Sequence, residues 1–182
     1  MMKKLLVSAA LVFAMSSSCF AAKIDQPATS SKIFQDSEYK ISVQLPEGFD
    51  YADDDNEGVV IAASDKKGGT YNIVAQEVDH KLMEAGTDKE KLGKLTDGFK
   101  DEYTKKGLEI YHDYIIKINP DRFGFFMEGY NKGGSESGKN KTSIIKFYHN
   151  DKLFTVTLKA PYEKKGYLKN FKRFRTSITC KN

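Results

Sequence analysis

Asp53, Asp55 and Glu57 alternate along Tyr51-Ala-Asp-Asp-Asp-Asn-Glu-Gly58, the spacing of oxygen ligands in a calcium loop. An EF-type loop needs oxygen donors at positions 1, 3 and 5, a glycine at 6 and a bidentate glutamate at 12. Counted from Asp53, the first four requirements are met, but position 12 is Ser64, which cannot chelate through a carboxylate. The flanking segments read as strands rather than helices. A charged hairpin loop is therefore expected, and no metal site.

The three histidines offer a second candidate chemistry. Alternation along the strand beginning at Leu108 puts His112 on the face of Leu108, Ile110 and Tyr114, and His149 shares a face with Ile145 and Phe147. Folding the strands back at their turns leaves His112 and His149 about 16 Å apart by standard strand spacings. Zn–N bonds are about 2 Å, so one ion cannot span that gap. His80 has only Asp79 close in sequence. Structural or surface histidines are expected.

Catalytic motifs are absent: there is no Gly-x-Ser-x-Gly, no His-Glu-x-x-His and no Gly-x-x-x-x-Gly-Lys phosphate loop. Gly133-Gly-Ser135 has the composition of a flexible loop. Cys180 lies two residues from the end, where fraying holds geometry badly. No catalytic, cofactor-binding or metal-ligating residue is assigned, and no cofactor is expected.

The last helix carries the positive signal. At 100° per residue, Lys165, Lys169, Lys172 and Arg173 gather opposite the Phe171, Phe174 and Ile178 stripe, flanked by Lys164 and Arg175. Such a face is either a solvated surface or a dock for an anionic partner: phospholipid headgroups, acidic wall polymer or an acidic protein. Charge is unevenly spread elsewhere too. Glu47 to Glu57 holds six acids and no base, while residues 161–182 hold seven bases and only Glu163.

The N-terminus suggests where such a partner would be met. Lys3 and Lys4 precede the apolar run Leu5 to Met15, followed by small residues through Ala22, the parts of a secretory signal. The run is shorter than the about 20 residues that span a bilayer. Cleavage is expected after Ala21, taking 29 basic residues to 27 against 25 acidic ones. A rival reading makes Cys19 the acylated cysteine of a lipoprotein, although Ser16 stands where such signals carry leucine. An exported periplasmic or extracellular protein is expected, with no transmembrane segment in the mature chain. Nucleic acid is not an expected partner.

These residues need elements to position them. Residues 22–37 read as a polar leader, and the domain as residues 38–180. Strands are expected over Tyr39–Leu45, Gly58–Ser64 and Thr70–Val78. Thr87-Asp-Lys-Glu90 is a capping box opening a helix with Leu92, Leu95, Phe99 and Tyr103 on one side, ended by Gly107. Four more strands follow, over Leu108–Ile118, Arg122–Tyr130, Thr142–His149 and Lys152–Lys159. Pro161 then opens the last helix, with Tyr167, Leu168, Phe171, Phe174 and Ile178 on one side. Runs of hairpin-linked strands with few helices indicate an α+β fold. The expectation is a curved, mostly antiparallel sheet of six to seven strands with two main helices packed on it.

Several of these segments together resemble the PsbP-like superfamily, whose bacterial members include the DcrB-type envelope proteins. They are the turn Leu45-Pro-Glu-Gly-Phe49 after the opening strand, the capped central helix, and the hairpin from Phe147 to Leu158. The closing helix with Phe171, Phe174 and Ser177-Ile178 completes the set. The resemblance implies a curved antiparallel sheet with packed helices, and non-enzymatic accessory or binding roles on membranes and protein complexes. Its matching residues are structural, so it transfers no catalytic residue. The leading reading is a non-catalytic envelope or secreted binding module for a protein or anionic envelope partner. The alternative is a small-ligand binder or hydrolytic enzyme with a pocket between sheet and helices.

Overall fold

The computed structural model describes residues 33–52, 56, 58–78, 87–120, 122–132, 139–161 and 165–180. The expected signal segment, Cys19, most of the leader, Asp53–Asp55, Glu57, His80 and the glycine loop over 133–138 lie outside the described residues.

Among the described residues, ten strands form two antiparallel sheets. The larger contains β3 (Asp50–Tyr51), β4 (Val59–Ser64), β5 (Thr70–Glu77), β6 (Leu108–Asn119), β7 (Arg122–Lys132), β8 (Lys139–His149) and β9 (Lys152–Pro161). Its order is β3-β4-β5-β9-β8-β7-β6. The smaller joins β1 (Ile33–Asp36), β2 (Ile41–Gln44) and β10 (Ile178–Cys180). The α+β class and the two main helices are as expected. The second sheet is not, because β1 lies in the stretch read as leader and β10 in the stretch read as helix. Phe34 of β1 is buried in the core, so the folded region reaches back at least to Ile33.

The helix α1 (Asp88–Lys105) begins as its sequence dictates: Thr87 Oγ1 accepts the Glu90 N–H, and the Glu90 carboxylate accepts the Thr87 N–H. Gly107, at φ 84°, takes the left-handed turn that lets the chain leave the helix for β6. The hairpin β8–β9 turns on Asn150 and Asp151, both left-handed at φ 46° and 59°. Paired left-handed residues match the right-handed twist of the strands.

Each face of the large sheet has its own core. On one, Leu92 and Phe99 of α1 pack on Leu108, Phe125, Met127, Ile144 and Tyr148. On the other, the small sheet and α2 (Leu168–Phe174) cover Ile73, Phe126, Ile145, Phe147, Phe154, Val156 and Leu158. Strand β8 lies between both layers, and every residue from Thr142 to His149 is buried. Fully burying each of its large apolar side chains contributes about 1.5–3 kcal/mol.

The last helix is shorter than its apolar spacing implies. Pro161 ends β9, a 3₁₀ turn covers Lys165–Tyr167, and α2 stops at Phe174. Ile178 is buried as part of β10, where burial alternates with exposure at Thr179. Apolar residues at Phe174 and Ile178, four apart, satisfy a helix face and a strand face equally, and pairing with β2 decides between them. Leu168 is not on the buried side; it is 48% exposed.

Candidate functional site: the final helix and its surroundings

Two clamps hold α2 against the core. Its entry is fixed by Tyr167, whose hydroxyl donates to the Asp65 carboxylate. Asp65 also accepts the N–H groups of Lys67 at 2.9 Å and Gly69 at 2.7 Å. Burial pushes the Asp65 carboxyl up, but these hydrogen bonds outweigh it and leave it below its ordinary value. Gly69 is required there, because a Cβ would sit 2.6 Å from the Phe49 ring and 3.1 Å from Tyr167. The second clamp is Asn170, buried on the inner side of α2. Its Oδ1 accepts the Glu47 N–H at 3.1 Å, and its Nδ2 donates to the Glu47 carbonyl at 3.3 Å.

With Tyr167, Asn170, Phe171 and Phe174 buried, Lys169, Lys172 and Arg173 are left on the outer side, all exposed. Lys169 bonds Glu47 at 2.5 Å. That hydrogen bond and the ammonium charge, with a further contribution from Arg173, hold the Glu47 carboxyl below its usual range. Lys172 has no ion-pair partner among the described residues. The backbone of Lys165 lies in the 3₁₀ turn; its side chain is outside the described set. Of the four cations expected on this face, the structure therefore describes three together on α2.

Beyond α2, Arg175 lies 5.9 Å from the ring centre of Tyr114 and 5.7 Å from that of Phe126, and donates to the Tyr114 hydroxyl. Lys141 Nζ lies 4.7 Å from the Phe171 ring centre and 6.0 Å from that of Tyr111. It pairs with Glu128 at 2.9 Å, and Ser143 Oγ donates to the same carboxylate oxygen at 2.8 Å. Tyr111 stacks on Tyr130 at 4.8 Å. Burial and the hydrogen bond with Glu128 push its phenol pKa up.

Sequence periodicity misplaces His112 and Tyr114 of β6. Alternation puts His112 with Leu108 and Ile110, yet β6 carries a bulge between Ile110 and His112 that adds one residue at Tyr111. The bulge moves His112 and Tyr114 to the α2 face, opposite Glu128 and Phe126 of β7. Pairing also sets His112 level with Ser143, six residues from His149 along β8, or about 20 Å. Among the described residues no group of three or more His, Cys, Asp or Glu could hold a metal ion.

Cys180 is anchored rather than frayed. It lies buried in β10, and burial raises its thiol pKa to about 11, so it is protonated at neutral pH and a poor nucleophile. A recess of about 620 Å³ opens where α1 meets β6, lined among others by Lys100, Thr104, Lys106, Asp113 and Asn131. Its cations are already paired, Lys100 with Asp113 at 2.8 Å and Lys106 with Glu102 at 2.7 Å.

No family model matches the chain, and no curated protein does. Solved structures do. A cyanobacterial PsbP from Synechocystis superposes with a TM-score of 0.57 at 13% identity, over 92% of this chain and 99% of its own. A Bacteroides thetaiotaomicron protein gives a TM-score of 0.46 at 15% identity, over 85% of this chain and 50% of its own. A Pseudomonas aeruginosa protein of unknown function gives 0.46 at 8% identity, over 85% of this chain and 99% of its own. At these identities the likeness is one of fold, and only the first superposition carries weight. The chain has a PsbP-like α+β fold.

Proposed function

We propose that this chain is a non-catalytic, exported binding module that meets an anionic partner of the cell envelope through Lys169, Lys172 and Arg173 of its last helix, together with Lys165 of the preceding turn. Residues 1–21 act as the export signal in this reading, and the folded domain runs from Ile33 to Cys180. The carrying observation is the division of α2: one side is locked into the core, while Lys172 and Arg173 project outward from the other. A charge placed there costs little and is available to a partner. The fold likeness and the paired state of the cations at the α1 recess favour binding over hydrolysis or small-ligand capture.

The test is salt-dependent retention on dextran sulfate, a soluble polyanion. Contacts of this kind are screened within about 8 Å at physiological salt. Retention should fall steeply with ionic strength and be lost when the four cations are changed to glutamine. Glutamine is chosen because glutamate at position 169 would stand against Glu47.

A further inference from the structure

We propose that the anionic partner is a phospholipid bilayer surface, met by α2 together with the neighbouring tyrosines of β6, with Leu168 inserted among the headgroups. This rests on the reading of α2 as an anion-binding face and names the class of partner.

At 100° per residue, Lys172 lies 40° and Arg175 20° from the direction of Leu168. The three form one outward line along the helix and its first residue beyond, where the backbone at Arg175 is still helical. A 48% exposed leucine in line with two cations is not required by packing, since the inner side of α2 is already filled. Nor would a soluble polyanion reward it. The boundary between headgroups and acyl chains rewards both an apolar side chain and flanking cations.

The surroundings extend the same pattern. Four large apolar or aromatic side chains are markedly exposed among the described residues: Ile33, Tyr111, Tyr114 and Leu168. Three of them gather here. Arg175 bonds the Tyr114 hydroxyl, and Lys141 bridges Phe171 on the underside of α2 to Tyr111. Tyrosine, with an apolar ring and a polar tip, suits the membrane–water interface. Exposed apolar and aromatic side chains on and beside α2, with the exposed cations Lys172 and Arg175 among them, mark an interaction surface. No helix among the described residues is long and apolar enough to cross a membrane, so the contact is peripheral.

The experiment compares the chain as processed by the cell with its Leu168→Gln variant. Sedimentation is measured with vesicles of phosphatidylcholine alone and of phosphatidylcholine with phosphatidylglycerol, and retention is measured on dextran sulfate. The parent should bind only the phosphatidylglycerol vesicles. Leu168→Gln should weaken that binding about tenfold, the scale expected for losing half of a leucine's burial. Its retention on dextran sulfate should not change. Equal vesicle binding by parent and variant would overturn the inserted leucine. Dextran sulfate binding without vesicle binding would overturn the bilayer and leave the anion-binding reading standing. Binding to neither would overturn both.

Discussion

On the α1 face of the large sheet, Lys146 is 4% exposed, lies over the rings of Phe99 and Tyr103 at 4.6 and 5.2 Å, and pairs with Glu102 at 3.3 Å. On the α2 face, Lys172 stands in solvent with no carboxylate partner among the described residues. Both are lysines, but their energetics are opposite. Burial drives the Lys146 pKa down, and the opposing pull of Glu102 does not restore it. An enclosed ammonium is costly to desolvate and cannot meet an outside partner. The exposed one costs little and has no internal work. The comparison teaches that position relative to the two cores, more than the number of cations, decides which basic residues are available for binding.

The largest way to disturb this division is to open the core beneath α2. Phe171→Ala should cost about 3–5 kcal/mol in urea unfolding, because the ring is 7% exposed and is also the surface on which Lys141 rests. A loss below about 1 kcal/mol would mean that α2 is not seated as described. On the other face the sign should reverse. Lys146→Met should raise stability by about 1 kcal/mol, since it removes a buried charge while Glu102 keeps Lys106 at 2.7 Å. A clear loss of stability would make the Lys146–Glu102 pair a net stabilising contact.

Asp65 should have the smallest effect, present at neutral pH and fading in acid. Its carboxyl is depressed from an ordinary value near 3.8 despite burial, by hydrogen bonds from Tyr167, Gly69 and Lys67. A depressed acid contributes stability that is present above its unfolded pKa and is lost as pH falls through its folded pKa. The window therefore lies below about pH 3.8. Asp65→Asn should be less stable than the parent at neutral pH, and the gap should narrow across that window in thermal melts. A gap independent of pH would assign the effect to packing rather than to charge.

Much of this fold is legible in the chain because local rules and tertiary packing agree. The capping box at Thr87, the stop at Gly107 and the turn at Asn150-Asp151 act within a few residues. The adjacent apolar pairs Ile144-Ile145 and Phe147-Tyr148 mark a strand covered on both faces. The misreadings arise where a distant partner decides. Phe34 looks like part of a polar leader until β2 pairs with it, and Ile178 continues a helical stripe until the same strand claims it from the other side. The bulge at Tyr111 carries no composition signal, yet it turns His112 and Tyr114 to the opposite face. The cations of α2 were legible from spacing alone. Their neighbours Tyr111, Tyr114 and Lys141 were not, because strands far apart in sequence bring them to the helix.

The claim that the exposed α2 cations, and not the buried or paired cations on the α1 side, hold an anionic partner is tested most directly by neutralising each set separately and measuring retention on dextran sulfate against salt. One variant carries Lys146→Met with Lys100→Gln on the α1 side; the other carries glutamine at positions 165, 169, 172 and 173. Both should melt as cooperatively as the parent. The first should elute at the parent's salt concentration, and the second should fail to bind at low salt. Loss of retention in the first variant, or parent-like retention in the second, would contradict the account.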